Sequence, residues 1–268
     1  MKISELKKDA LAKLSGKWSL AIGINFVYLL ITLFLSYIGS NVDGILSFII
    51  LLVGAIISIP FSYGLAASML KLSRNESVSI LDFITIGLQN FKRAILLSLS
   101  VFIRLLLPIL LVSLSMTFFI LAIIPNAFAT NPTPLLLISI LASLTGCIWF
   151  MYKSLSYALS TYLLIDNPEA SSKEVIKKSC ELMKGSKFKF IGLFLSFFGW
   201  YLLSGIIGFF AQSINVIAGF IVTYGTNLLL TPYVSFTEIN FYENSAGIAD
   251  VVTPIEGEVV DPKDNQNI

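Results

Sequence analysis

Histidine is absent from this 268-residue chain, which removes the side chain that proteins use most often as a general base and as a metal ligand. The sequence therefore predicts neither a catalytic site nor a bound cofactor or metal. Cysteine is scarce as well, since only Cys147 and Cys180 occur, one in an apolar stretch and one in a basic segment. We expect two free thiols instead of a structural disulfide.

Charged residues are also scarce. They make up only 13% of the chain, whereas 56% of the residues are apolar and the mean hydropathy is +0.86. A soluble domain has a more even mixture, so we expect this chain to be solvated mainly by lipid. The net charge of +2 and the scattering of basic residues do not indicate nucleic-acid binding. The lysine-rich amino terminus lacks a small-residue cleavage site, which favours a retained first span over a signal peptide.

Six apolar stretches are each long enough to cross a hydrocarbon core of about 30 Å. They cover residues 19–38, 45–70, 94–124, 135–165, 188–210 and 217–236. Each must be helical, because backbone amides in lipid have no water to pair with. The prediction is an all-α polytopic bundle of six transmembrane helices over residues 1–244, followed by a disordered acidic cytoplasmic tail at 245–268.

Basic residues are concentrated on alternate connections. The amino-terminal leader and segments 71–93 and 173–189 hold fifteen of the eighteen lysines and arginines. The connections near 39–44, 125–134 and 211–216 hold none. The positive-inside rule therefore predicts a multi-pass protein of the cell membrane with both termini in the cytoplasm.

A short amphipathic, basic segment precedes each odd-numbered span. One helical face carries Ile3, Leu6, Ala10 and Leu14 in the first copy, and Ile80, Ile84, Leu88 and Phe91 in the second. The third copy begins with Ser171 and Glu174 at capping-box spacing. The even spans also resemble one another, since Ser62-Tyr63-Gly64 is similar to Ser156-Tyr157-Ala158 and Pro232-Tyr233 is a weaker third copy. Three parallel two-span hairpins are indicated.

An apolar stripe surrounded by lysines is typical of a helix in the headgroup interface, and a final Gly or Asn permits a left-handed turn into the span. The expected ligands are membrane lipids. The candidate interfacial lipid contacts are Lys13, Lys17, Trp18, Lys92, Arg93, Lys184, Lys187 and Phe188. The alternative is that these segments are cytoplasmic linkers that happen to be charged.

Arg104 and Lys153 lie inside apolar stretches, where a charge that faces lipid costs several kcal/mol. One hypothesis is that they line a cytoplasm-facing cavity, meet Glu238 and form an intramembrane polar site for an anionic headgroup or substrate. The alternative is that both long side chains snorkel to the inner interface.

Several motifs resemble a bacterial family of uncharacterised integral membrane proteins, the domain of unknown function nine-seven-five. They are 162–168 (YLLIDNP), 176–185 (IKKSCELMKG), 195–200 (LSFFGW) and the leading 11–18 (LAKLSGKW). The resemblance covers nearly everything before the acidic tail and implies topology and location, but no catalytic residues. The family pattern has a Pro-Gly pair in the fourth span, where this chain has Gly146 and Cys147.

These observations favour a non-catalytic bacterial membrane protein that binds anionic lipid and interacts with a membrane partner. The alternative is a transporter or transporter subunit for a small or amphipathic substrate, suggested by Arg104, Lys153, Glu238 and the prolines within spans. A membrane-embedded enzyme acting on lipid is a third hypothesis.

Overall fold

The computed structural model describes residues 2–124 and 133–247, and these two ranges form ten α-helices and no strand. The helices are α1 (Ile3–Leu14), α2 (Trp18–Ser40), α3 (Gly44–Ser73), α4 (Asp82–Gln89), α5 (Phe91–Ile123), α6 (Thr133–Ser156), α7 (Ser160–Asp166), α8 (Ser172–Leu182), α9 (Lys187–Ile214) and α10 (Val216–Ala246).

Six helical stretches are long and apolar enough to span a membrane, with lengths of 22 to 34 residues. At 1.5 Å per residue all of them exceed the roughly 30 Å of a hydrocarbon core. Helix α2 packs on α3, α5 on α6, and α9 on α10. The predicted all-α bundle of six membrane-length helices in three hairpins is confirmed.

The fourth and sixth spans differ in detail from the hydropathy pattern. The fourth is interrupted by a turn at residues 157–159, which separates α6 from α7. The sixth continues ten residues past the predicted end at 236, and it stops where Gly247 adopts a left-handed φ of 71°. Residues 245 and 246 of the predicted tail therefore belong to α10. Residues 248–268 of that tail lie outside the described residues, as do residues 125–132 of the predicted second external connection.

The packed interior is concentrated at one end of the bundle, which we call the basic end. It is the end that carries α1, α4, α8 and the carboxyl end of α10. The buried apolar residues there include Leu6, Phe83, Leu163 and Phe236. At the opposite end apolar side chains are exposed, as at Ile214 with 89%. Exposed apolar surface of this kind is typical of helices that span a membrane, because such helices need no protein cover in lipid.

The three repeat units interlock in a closed order. The units are α1 to α3, α4 to α7, and α8 to α10. Helix α4 packs on α3 of the first unit, α8 packs on α7 of the second, and α1 packs on α10 of the third. Each short helix thus docks on the even-numbered span of another unit, and the three units contact one another in a closed order.

The contact between α3 and α4 is made by two glycines. A Cβ at Gly64 would overlap the carbonyl oxygen of Phe83, and a Cβ at Gly87 would overlap that of Pro60. Only glycine permits backbones to approach this closely. In the second unit Ala158 replaces the glycine, and there Ser179 of α8 instead donates a hydrogen bond of 2.9 Å to the carbonyl oxygen of Ser156.

The turns into the odd spans follow the prediction at two of three places. Gly16 and Gly185 adopt left-handed φ angles of 76° and 85° before the first and fifth spans. Asn90 ends the second amphipathic segment, and the left-handed turn expected there is not found, because its φ is −102°. Helix α4 therefore passes into α5 through a single residue of ordinary backbone conformation.

The apolar stripes of the short helices are largely covered by protein. Leu6, Ala10 and Leu14 of α1 are fully buried, and Val175 and Ile176 of α8 are nearly so. This corrects the expectation that these stripes insert among headgroups.

Helix α4 has the reverse arrangement. Phe83 and Gly87 are buried, whereas Ile80, Leu88 and Phe91 of the predicted stripe remain exposed. Of the predicted stripe, Ile84 packs partly buried against the core, but the fully buried residues of α4 are not among those that the sequence pattern singled out.

Candidate functional site

The carboxyl ends of the three even-numbered spans converge at the basic end and present one charged residue each. Arg74 caps α3, Asp166 is the last residue of α7, and Glu243 lies in the last turn of α10. Together with Lys13 of α1 and Tyr242 of α10, they form what we call the charged cluster. It joins all three repeat units.

Arg74 holds the charged cluster together by binding two carboxylates. Its Nη1 and Nη2 donate to the two oxygens of Asp166 at 2.7 and 2.8 Å. Its Nε donates to Glu243 Oε1 at 3.1 Å, and Lys13 Nζ donates to Glu243 Oε2 at 2.7 Å. The planar guanidinium suits this forked geometry, which the single ammonium of lysine cannot reproduce.

Helix dipoles explain why cations are required here. The carboxyl end of a helix carries partial negative charge, which disfavours Asp166 and Glu243 at the ends of α7 and α10. The Glu243 side chain is only 2% exposed, so its charge needs partners within the protein. The hydrogen bond to Asp166 raises the pKa of Arg74 further above its ordinary value, although burial opposes that shift.

Two tyrosines extend the charged cluster into the bundle. Tyr242 Oη donates to Asp166 Oδ2 at 2.7 Å, and the Tyr242 ring stacks on Tyr162 with centroids 5.4 Å apart. Tyr162 Oη in turn donates to Glu238 Oε2 at 3.3 Å. The ends of α7 and α10 are therefore joined by polar contacts as well as by apolar packing.

A cavity of about 480 Å³ opens beside the charged cluster. Its walls are formed by Arg74, Leu163, Asp166, Asn167, Lys178, Tyr242 and Ala246. Arg74 and Asp166 already satisfy each other, whereas Lys178 is exposed on α8.

Two of the cations predicted to contact lipid bind carbonyl groups at the ends of helices instead. Lys17 Nζ donates to the carbonyl oxygen of Leu72 at 2.7 Å, near the end of α3. Arg93 Nη2 donates to the carbonyl oxygens of Leu164 and Asn167 at 3.1 and 2.9 Å, at the end of α7. In both units the cation at the start of the odd span therefore caps the carboxyl end of the even span, where a positive charge is stabilising.

Two further predicted contacts also have protein partners. Lys187 Nζ donates to Ser156 Oγ at 2.6 Å and lies 3.2 Å from the centroid of the Tyr152 ring. Lys13 is the partner of Glu243 in the charged cluster.

The remaining predicted contacts differ in exposure. Trp18 is partly buried against the core. Lys92 and Lys184 are exposed, and Phe188 is 88% exposed at the start of α9. These last three side chains are free to contact lipid.

The structure does not bring the predicted intramembrane site together. Arg104 Nη1 donates to the carbonyl oxygen of Ser100 on its own helix at 2.7 Å. Glu238 accepts from Tyr162, and Lys153 is partly buried on α6. Within residues 2–124 and 133–247 no ion pair joins Arg104, Lys153 and Glu238. Whether they bind a shared ligand stays a prediction.

Sequence reasoning overlooked the charged cluster. The predicted fourth span stops at residue 165, just before Asp166, and Arg74 and Glu243 were given no role. One signal was available: Arg74, Asp166 and Glu243 each follow the repeat tyrosine of their span by about ten residues. An ionisable residue recurring at a repeat position indicates that the copies meet there.

The fold and the charged cluster define a polytopic α-helical membrane protein built from three interlocking units. Residues 1–247 match the family described as "Protein of unknown function (DUF975)", and the chain belongs to that family. The match ends where α10 ends, so it includes all three units and the whole charged cluster. No curated protein and no solved structure matches the chain.

Proposed function

We propose that this is a non-catalytic protein of the cell membrane whose basic end faces the cytoplasm and binds anionic lipid headgroups. The observation that carries the proposal is the pairing of free cations with exposed aromatic rings where two spans begin. Lys92 follows Phe91 at the start of α5, and Lys184 precedes Phe188 at the start of α9.

The position of these pairs suits a membrane interface. Phe91 is 43% and Phe188 is 88% exposed, and neither ring has a protein surface to cover it fully. Burying an exposed phenylalanine in lipid contributes about 1.5–3 kcal/mol, and each nearby lysine adds about 1 kcal/mol with anionic lipid. The ring and the ammonium group can therefore bind one headgroup region together.

The distribution of charged residues also favours binding of anionic lipid at the basic end. The leader and segments 71–93 and 166–189 contain fifteen lysines and arginines against eight aspartates and glutamates. In the described connections at the opposite end, Asp43 is the charged residue. Anionic lipid would be attracted to the basic end and not to the other.

The test uses the purified full chain in a neutral detergent, with thermal unfolding followed by tryptophan fluorescence. Phosphatidylglycerol should raise the unfolding midpoint more than phosphatidylcholine does, and high salt should reduce the difference because it screens the charges. Lys184→Gln and Phe188→Ala should each weaken the effect, whereas Lys263→Gln, which removes the same charge from the acidic carboxyl-terminal segment, should not.

Equal stabilisation by the two lipids at low salt would refute the proposal. The alternative function, transport, predicts substrate-dependent flux in proteoliposomes, which lipid binding alone does not.

A further inference from the structure

Glu238 is an acidic residue within the sixth span that stays outside the charged cluster. Its contact is the hydroxyl of Tyr162, which donates to Oε2 at 3.3 Å. Among the described residues no lysine or arginine nitrogen lies within 4.0 Å of it, whereas Glu243, five residues later, has both Lys13 and Arg74. Within the described residues, the Glu238 carboxylate therefore has a neutral hydrogen-bond donor but no cationic partner.

A cavity of about 300 Å³ lies against this carboxylate. It is lined by Ser154, Leu155, Ala158, Phe190, Phe194 and Glu238. Apart from Ser154 and Glu238, the wall is apolar or aromatic. The volume corresponds to about ten water molecules, which is enough for a small organic group.

The two phenylalanines give the cavity one rigid wall and one accessible rim. Phe190 is only 4% exposed and is held by Phe241, with ring centroids 4.8 Å apart. Phe194 packs edge-on against Phe190 at 4.9 Å and is 42% exposed. A molecule can therefore reach the cavity past Phe194 from the surface of the bundle.

We propose that this cavity binds an organic ammonium ion with an apolar body. The ammonium group would supply the counter-charge that Glu238 lacks, and the ring of Phe194 would attract the same cation through its π face. The apolar body would displace water from the wall formed by Leu155, Ala158 and Phe190. An anionic ligand, by contrast, would be repelled by the carboxylate.

This site differs from the anion site that the sequence suggested. That hypothesis placed Glu238 beside Arg104 and Lys153, where the two cations would dominate. Among the described residues no ion pair joins Glu238 to either cation, so we expect a ligand of the opposite sign. The site is also separate from the exposed lysines to which anionic lipid binding is assigned, and the two proposals fail independently.

The probe is benzyltrimethylammonium, measured by calorimetry against the full chain in lipid nanodiscs, with benzylsulfonate as the anion of similar shape. The wild-type chain should bind the cation and not the anion. Glu238→Gln should weaken cation binding about tenfold or more, which corresponds to a loss of about 1.4 kcal/mol of binding free energy. Phe194→Leu, which keeps the wall apolar, should weaken it about two- to fivefold through loss of the cation–π contact.

The matched control is Glu181→Gln, which removes the same charge from the exposed surface of α8 and should leave binding unchanged. Glu238→Asp keeps the charge but shortens the side chain, and it should retain part of the affinity. Three results would overturn the proposal. The first is equal cation affinity in the wild type and in both Glu238→Gln and Phe194→Leu, and the second is benzylsulfonate binding as strong as that of the cation. Loss of thermal stability in Glu238→Gln without any change in binding would also overturn it, since the carboxylate would then be a structural partner.

Discussion

Replacing Arg74 by glutamine tests whether the charged cluster joins the three repeat units. The change removes the bidentate pair with Asp166 and the third contact with Glu243. Asp166 would keep the hydrogen bond from Tyr242, and Glu243 would keep the ion pair with Lys13. Each of these two carboxylates lies near the carboxyl end of a helix, where the dipole disfavours negative charge. Without Arg74, each would have lost one of its two named partners.

The magnitude follows from burial. Breaking a fully buried ion pair costs about 3–5 kcal/mol, and exposed pairs contribute about 0–1 kcal/mol. The side chains of Arg74 and Asp166 are 20% and 17% exposed, whereas that of Glu243 is 2% exposed. We therefore expect Arg74→Gln to lower the free energy of unfolding by about 2–3 kcal/mol, between the two limits.

The assay is equilibrium unfolding of the purified chain in mixed micelles with increasing dodecyl sulfate, followed by circular dichroism. Lys71→Gln is the matched control, because Lys71 lies one turn earlier on α3 and is exposed. Arg74→Lys should lose part of the stability, since lysine keeps the charge but not the fork.

A double-mutant cycle isolates the pair itself. Combining Arg74→Gln with Asp166→Asn should cost less than the sum of the single changes, with a coupling of about 1–2 kcal/mol. If Arg74→Gln destabilises no more than Lys71→Gln does, or if the coupling is zero, the charged cluster does not hold the units together.

Three further predictions concern helix docking, helix capping and orientation. Gly64→Ala should cost about 1–3 kcal/mol by overpacking against the α4 backbone, whereas Gly199→Ala, with open space around it, should cost nothing; unfolding in mixed micelles measures both. Arg93→Gln should cost about 1–2 kcal/mol, because two carbonyl groups at the end of α7 lose a charged donor, and unchanged stability would contradict the capping role. In a chain without its own cysteines, a membrane-impermeant maleimide should label Asp43→Cys in intact cells but reach Lys184→Cys only after permeabilisation, and the reverse pattern would invert the proposed topology.

Parts of the fold followed directly from composition. The stretch that became α3 could be recognised because its apolar residues run without charge for longer than the membrane is thick. Its hairpin partner α2 followed because the connection between them is short. Such features depend on neighbouring residues in the chain, so no knowledge of distant contacts was needed.

The candidate site could not be derived in the same way. Lys17 and Arg93 are cations beside apolar spans, a position typical of lipid-binding residues. In the structure they instead donate hydrogen bonds to carbonyl oxygens 55 and at least 71 residues away in the chain. Periodicity identifies an apolar face but does not say whether lipid or protein covers it. For α1 the cover is α10, at the other end of the chain.

By itself the sequence determined that this chain has six membrane-length helices arranged as three similar hairpins, because lipid selects for long apolar helices whatever their neighbours are. Tertiary structure alone decided that the hairpins interlock in a ring, that Arg74, Asp166 and Glu243 meet, and that no cation among the described residues pairs with Glu238. Ion pairs depend on distances of a few ångströms between residues that lie far apart in the chain, and only the closed packing of the three units specifies those distances.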